Sequence, residues 1–227
     1  MTIWHISELP SLMVRSCAYA VIRGLDNHII NEEWSDYWNQ RLNSLEQQYA
    51  SLDYHTDPRL EGYHILHDRA GVKRRKNIPS AENLIRMLRK HGTLPTINPV
   101  VDIYNLFSVE NRLCIAAHDL SHIEGGITVK FPMGTERYIP MGQNEPVPLD
   151  EHEYYYCDQA DDVLCRLELH QCNKTIVTAE TRDLLLIIEG HDDTPDSLLG
   201  ETARELVNTI VRYCGGVGYC YKADTKI

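Results

Sequence analysis

Three groups of residues in this 227-residue chain are of types and spacings that could do chemistry. His118 and His122 stand four apart in His118-Asp-Leu-Ser-His122, a spacing that on a helix would bring two imidazoles to one face, as a metal requires. The HExxH pattern is missing and the segment lies where helical texture gives way to strands, so no metal is assigned. The second group comes from alternation in residues 164–170, which puts Arg166, Glu168 and His170 on one side of a strand and Cys165, Leu167 and Leu169 on the other. The same rule places Glu189 on the face of Leu185 and Ile187. Glu189 before Gly190 is either the first residue of a turn or a carboxylate at the rim of a sheet pocket, able to hold a cationic or hydroxyl-bearing ligand. The third group is the basic run Lys73, Arg74, Arg75, Lys76, with Arg86, Arg89 and Lys90 beyond it. It is either a solvated surface or a landing site for phosphates. If about four of these residues each neutralise one phosphate, affinity falls with salt at a log-log slope of roughly -3 to -4.

Other chemistries lack their signatures. No GxSxG elbow marks a nucleophilic serine, and no Walker loop or GxGxxG marks a phosphate cradle. Gly215-Gly-Val-Gly218 follows a helix instead of opening one. The seven cysteines are odd in number and include no CxxC pair, a pattern of reduced, mostly buried thiols in a cytoplasm rather than of structural zinc or a secreted disulfide framework. No cofactor is called for, and an activated water is the expected nucleophile.

Composition narrows the classes further. With 43% hydrophobic residues and ordinary Gly and Pro usage, the chain is neither disordered nor fibrous. The longest strongly apolar run, residues 184–188, is far short of the roughly 20 residues a bilayer crossing needs. The first residues, Met1-Thr-Ile-Trp-His, carry neither a basic start nor an apolar core, so no secretory signal is expected. The 33 acidic against 22 basic residues give a net charge of -11, which repels DNA, RNA and anionic membranes on average. A nucleic-acid partner therefore needs the basic run as a local patch.

The elements that must position these residues follow from periodicity. Residues 17–23 read as a core strand closed by the turn Gly24-Leu-Asp-Asn27. Trp34, Trp38, Leu42, Leu45 and Tyr49 mark a helix over residues 32–49, and residues 60–67 a shorter one. Pro79-Ser80 opens a helix with Ser80 as N-cap and His91-Gly92 as its stop. Asn98-Pro99 starts another, with Pro at the first helical position and Val100, Ile103, Leu106 and Phe107 on its buried face. Short strands follow over residues 126–131, 137–141, 153–157, 163–170, 174–177 and 184–188. A last helix, residues 197–213, stops at Gly215-Gly216. Helices first and strands later, without regular alternation, predict an α+β fold, and the absence of repeats or a long polar linker predicts a single compact domain over residues 1–227.

In this order, Pro79-Ser-Ala-Glu82, Leu94-Pro-Thr-Ile-Asn-Pro-Val-Val-Asp-Ile-Tyr-Asn105, Ala117-His-Asp-Leu-Ser-His-Ile-Glu-Gly125 and Thr178-Ala-Glu-Thr-Arg-Asp-Leu-Leu-Leu-Ile-Ile-Glu-Gly190 resemble the tRNA-binding editing domain of the bacterial phenylalanyl-tRNA synthetase β subunit, above all its free-standing versions. The resemblance runs from about residue 10 to residue 215. It implies an α+β fold and hydrolysis of the ester joining a wrong amino acid to tRNA.

Residue by residue the resemblance is partial. The family's Asp and Asn fall on Asp102 and Asn105, and its Thr on Tyr104. The family's pocket His falls on Ala116, with His118 two residues on. Its tyrosine-reading Glu falls on Ile187, with Glu189 two residues on and on the same face. Its small Ala-Gly pair falls on Cys165 and Arg166. These departures imply the same reaction on another amino acid. Some free-standing members clear canavanine from the arginine tRNA, a near-isostere that binding alone rejects poorly. The expected substrate is therefore canavanyl-tRNA, with tyrosyl-tRNA second.

In that reading Asn105 and His118 are catalytic, His118 helping to hold the water. Tyr104, Arg166, Glu168 and Glu189 bind substrate, the two carboxylates meeting a guanidinium-like group. Lys73, Arg74, Arg75, Lys76, Arg86 and Arg89 hold the tRNA, helped by a synthetase or translation factor. The competing expectation, favoured by Ala116, is a protein that keeps the fold and binds tRNA or an amino acid without catalysis.

Overall fold

The computed structural model describes residues 17–28 and 32–223. The first residues, on which the expectation of no secretory signal rests, and residues 10–16 of the resemblance lie outside them. The fold is α+β, as the sequence predicts. Its chain order is β1 (Cys17–Arg23), α1 (Glu32–Ser51), α2 (Pro58–Arg69), α3 (Ser80–His91), α4 (Pro99–Asn111), β2 (Cys114–Asp119), β3 (Thr128–Lys130), β4 (Arg137–Tyr138), β5 (Val147–Pro148), β6 (Tyr155–Cys157), β7 (Val163–Arg166), β8 (His170–Gln171), β9 (Asp183–Glu189), α5 (Asp196–Cys214) and β10 (Val217–Ala223).

The main sheet has the order β10-β1-β9-β2, antiparallel throughout. Alternation along its strands sorts the core into two. Tyr19, Val21, Leu185, Ile187 and Cys114 face a cluster shared with α1, α2, α3 and the second sheet, β3-β6-β7-β8. Ala18, Ala20, Ile22, Leu184, Leu186, Ile188, Ile115 and Ala117 face a cluster shared with α5 and Trp34. Helix α4 feeds both, with Leu106 and Val109 in the first and Val100, Ile103 and Phe107 in the second. This double burial holds its middle turn, Tyr104-Asn105, in a fixed place beside β2.

The start of α4 is built by its own sequence. Asn98 Oδ1 accepts from Val101 N at 3.1 Å, and Pro99 takes the first turn. Asn27 locks the cap, donating to Asn98 Oδ1 at 2.9 Å and accepting from Val100 N at 3.0 Å. Helix α3 stops at Gly92, whose φ of 68° is left-handed and suits glycine. Its N-cap, however, is Pro79 rather than Ser80; the extended ψ of Pro79 already ends the helix, and Ser80 becomes its first residue.

Other expectations shift. Residues 174–177 form no strand, because Thr175 is a bracket: its carbonyl accepts from Asp119 N at 3.0 Å and its hydroxyl meets His118. The expected strand 163–170 is two strands separated by a turn at Leu167, which has a φ of 53°. Strands β2 and β10 extend the sheet on either side of β9 and β1, where the sequence pattern had marked neither.

Helix α2 docks closely on the end of β9. A Cβ at Gly62 would lie 2.3 Å from His191 Nδ1 and Cε1, and the ring is tied by His191 Nε2 to Arg59 O at 3.0 Å. Gly62→Ala gains up to about 1 kcal/mol of helix propensity but forces an overlap that typically costs 1–3 kcal/mol, so the net expectation is a loss of about 1 kcal/mol or more. A thermal melt at or above that of the unsubstituted protein would refute this packing.

Candidate active site

A cavity of about 330 Å³ opens between the start of α3, the middle of α4, β2 and the β7–β8 turn. Its polar wall includes Ser80, Asn83, Tyr104, Asn105, His170 and Gln171, and its apolar wall Leu84, Ile115 and Leu169. The volume is in the range of small-ligand sites. A second chamber of about 530 Å³ adjoins it through the shared residues Met141, Leu169, His170 and Gln171, and is lined further by Tyr138, Pro148 and Arg166.

Two of the sequence-predicted site residues, Tyr104 and Asn105, lie together in the first wall. Burial and the neighbouring Asp102 carboxylate hold the Tyr104 phenol above its ordinary range, so it stays a neutral donor. Asp102 itself is buried, its carboxyl raised to about 6 by desolvation. It accepts from Ile97 N at 2.7 Å and so closes the loop leading into α4. The Ser80 hydroxyl is buried at the wall and has no hydrogen-bond partner among the described residues.

Glu168 also borders the cavity, but its carboxylate is not offered to it. The turn at Leu167 swings Glu168 off the face of Arg166 and into the core, with none of its side chain exposed. There Oε1 accepts from His67 Nε2 at 2.7 Å and Oε2 from Tyr154 OH at 2.6 Å. Arg166 faces the second chamber. Its guanidinium pairs with Glu153 and donates from Nε to Tyr138 OH at 2.5 Å, stacked over that ring.

Register puts His118 and Glu189 on one sheet face, but at opposite ends. His118 pairs with Leu185 and Cys114 with Glu189, about 13 Å apart along the strand at ~3.3 Å per residue. Neither lines the cavity. Glu189 is buried, with its carboxyl on Tyr156 OH and its carbonyl accepting from Tyr63 OH at 2.5 Å. His118 is sealed, its Nδ1 2.8 Å from Thr175 Oγ1, and burial pushes its pKa down to about 4. Ala116, between them in sequence, does line the cavity. The pair His118 and His122 is not on one helix: His118 is in β2 and His122 ends a one-turn 3₁₀ helix. Among the described residues no three His, Cys, Asp or Glu side chains stand close enough to hold a metal.

The basic cluster is divided. Arg74 is held by Asp68 and Glu61, its Nε 2.9 Å from Asp68 Oδ1 and its Nη1 3.0 Å from Glu61 Oε1. Arg86 is held by Glu82 at 2.6 Å, and Arg89 stacks over Tyr54. Lys73, Arg75 and Lys76 are exposed; Lys73 and Lys76 border a groove whose other side carries Asp150, Glu151 and Glu153. No described helix is long and apolar enough to cross a membrane.

Sequence reasoning missed His170 and Ser80 as wall residues. The signal for His170 was present in its neighbourhood with Arg166, but only the turn at Leu167 shows which chamber it meets.

The family model of the B3/4 domain matches residues 69–215. No curated protein matches the chain. Among solved structures the chain is similar to an N-terminal fragment of the phenylalanyl-tRNA synthetase beta-subunit from Pyrococcus horikoshii, with 14% identity and a TM-score of 0.45 over 92% of this chain and 50% of that one. It spans half the length of that fragment.

Proposed function

The chain belongs to the B3/4 domain family, and from that premise we propose that it is a trans-acting aminoacyl-tRNA deacylase, hydrolysing the ester of a misacylated tRNA. The observation that carries the reading is the cavity wall formed by Tyr104 and Asn105, the segment on which the resemblance to the synthetase editing domain is most specific. An aminoacyl ester is already activated. Positioning of the carbonyl and of a water, with donors aimed at the developing oxyanion, supplies the catalysis without a protein nucleophile. Asn105 and Tyr104 offer those donors. His118 is too deeply sealed to meet the substrate and serves instead to fix the Thr175 bracket behind β2.

Canavanyl-tRNA(Arg) remains the favoured substrate of the proposal and tyrosyl-tRNA(Phe) the second. Glu168 and Glu189 are already engaged within the protein, so a guanidinium-like side chain would be read by a neutral acceptor of the wall such as Asn83. The RNA partner would be met by Lys73, Arg75 and Lys76, exposed cations that, like Arg89, make no ion pair among the described residues.

One observation favours a second reading. Ala116 lines the cavity where the resemblance places the family's His, which fits a protein that binds tRNA or an amino acid without hydrolysis. Incubation with tRNA pools charged separately with canavanine, tyrosine and other non-cognate amino acids separates the two. Ester loss above the protein-free rate on at least one pool is expected; no acceleration on any pool, with tRNA still bound, would leave the binding reading. On the preferred pool Asn105→Ala is expected to slow turnover by roughly 100- to 1,000-fold, the scale of losing one well-placed donor, with an unchanged melt.

A further inference from the structure

We propose that His170, oriented by Asn77, is the group that takes the proton from the attacking water, an inference that rests on the deacylase reading above. His170 is the one imidazole among the described residues that borders both chambers. It therefore stands at the point where an ester reaching from one chamber into the other would be attacked. Its Nε2 donates to Asn77 Oδ1 at 3.1 Å, and Asn77 is itself buried and leans back on Lys73 O through Nδ2 at 3.4 Å. That bond fixes the tautomer and leaves Nδ1 as the acceptor. Nδ1 is neither hydrogen-bonded to nor sealed by the described residues, unlike Nε2 of His118.

The surroundings keep the ring neutral. Burial first, and the Arg166 guanidinium second, lower its pKa to about 4, against a smaller opposing pull from Glu168. A neutral imidazole with a free lone pair is available to accept a proton at physiological pH, and the lowered pKa makes it a weaker base than an ordinary histidine, so its effect rests on its position. The neighbouring Gln171 is not a competitor, because its Nε2 is spent on Ala117 O at 2.8 Å and Thr175 O at 3.2 Å.

The step balances within this site. One O–H bond of water breaks and its proton goes to His170 Nδ1 while the oxygen bonds to the ester carbonyl carbon. The bond from that carbon to the ribose oxygen then breaks, and the proton on Nδ1 passes to the departing oxygen. The free amino acid and the tRNA hydroxyl leave, and the imidazole is neutral again. No co-reactant is needed.

The test uses the full chain and the charged tRNA pool that it hydrolyses best. His170→Ala is expected to lower single-turnover hydrolysis by about 100-fold or more, the usual contribution of a positioned base, with tRNA binding and the melt unchanged. Added imidazole is expected to restore part of the rate. Turnover within twofold of the unsubstituted protein overturns the proposal. So does a loss that imidazole leaves untouched in a variant that melts normally, which would make His170 a substrate-holding group. Asn77→Ala provides the second measurement: kcat is expected to fall about tenfold with KM unchanged, as for a misaimed base, and an unchanged kcat removes Asn77 from its positioning role. Failure of the unsubstituted protein on every pool is a different result and strikes the deacylase reading itself.

Discussion

His67→Leu is expected to destabilise the protein by about 3 kcal/mol, the upper range for leaving a wholly buried acidic side chain short of a hydrogen-bond partner. His67 and Glu168 meet at 2.7 Å with both side chains wholly buried, so no water can replace the lost imidazole. Tyr154 OH still donates to the other carboxylate oxygen at 2.6 Å, but Oε1 loses its imidazole partner. The double variant His67→Leu, Glu168→Met is expected to regain most of the loss, because a well-packed apolar pair avoids burying charge at all. Urea unfolding of the two variants measures both numbers. A single variant within about 1 kcal/mol of the unsubstituted protein would mean that the pair is not sealed as described.

Stability and turnover of Glu168→Gln together decide what Glu168 is for. As a substrate-reading group it would tolerate Glu168→Gln structurally and lose turnover on its preferred amino acid. As a core group it would lose stability first, and turnover only as the β7–β8 turn beneath the cavity loosens. The two hydrogen bonds on its carboxylate point to the second outcome.

Glu168 also shows where a sequence stops being legible. Alternation is a sound guide along β9, where residues 183–189 keep strict register with both neighbours and put Glu189 on the face expected of it. Across residues 163–170 the same rule fails, since Leu167 takes a left-handed φ that glycine or asparagine usually marks. Nothing in Arg-Leu-Glu-Leu-His announces that turn. Local chemistry was readable wherever a cap or stop is written in adjacent residues, as at Asn98-Pro99 and Gly92. Long-range pairing was not: Thr175, 57 residues from His118, decides both that residues 174–177 form no strand and that His118 is buried. The cavity was half legible for the same reason. Tyr104 and Asn105 sit on one turn of a helix whose start the sequence spells out, whereas the His170 wall is positioned by a turn and by Asn77, 93 residues away.

Acid sensitivity of the fold is expected to trace in large part to His118. In the folded protein its pKa is lowered to about 4, with burial as the cause, against about 6.5 in an unfolded chain. Charging it would put a proton on both ring nitrogens, and Nε2 is sealed and has no hydrogen-bond partner among the described residues. Above pH 6.5 the ring is neutral in both states and the contribution to stability is fully present. As the pH falls through 6.5 the unfolded chain takes up a proton that the folded protein refuses, so stability drains away until about pH 4, where the folded ring also titrates. The shift is worth about 3 kcal/mol at 1.36 kcal/mol per pKa unit. His170 acts with the same sign over the same window, but more weakly, because it is partly exposed. Asp102 acts against both: its folded pKa, raised to about 6 by burial, makes the fold relatively more stable as the pH falls from 6 toward 3.8. Comparing unfolding free energies at pH 7 and pH 4.5 isolates the first of these effects. The unsubstituted protein is expected to lose about 2–3 kcal/mol more over that interval than His118→Gln, which cannot titrate. Equal losses in the two proteins would show that the His118 ring takes up its proton as readily in the fold as outside it, and that the seal around Thr175 is open to water.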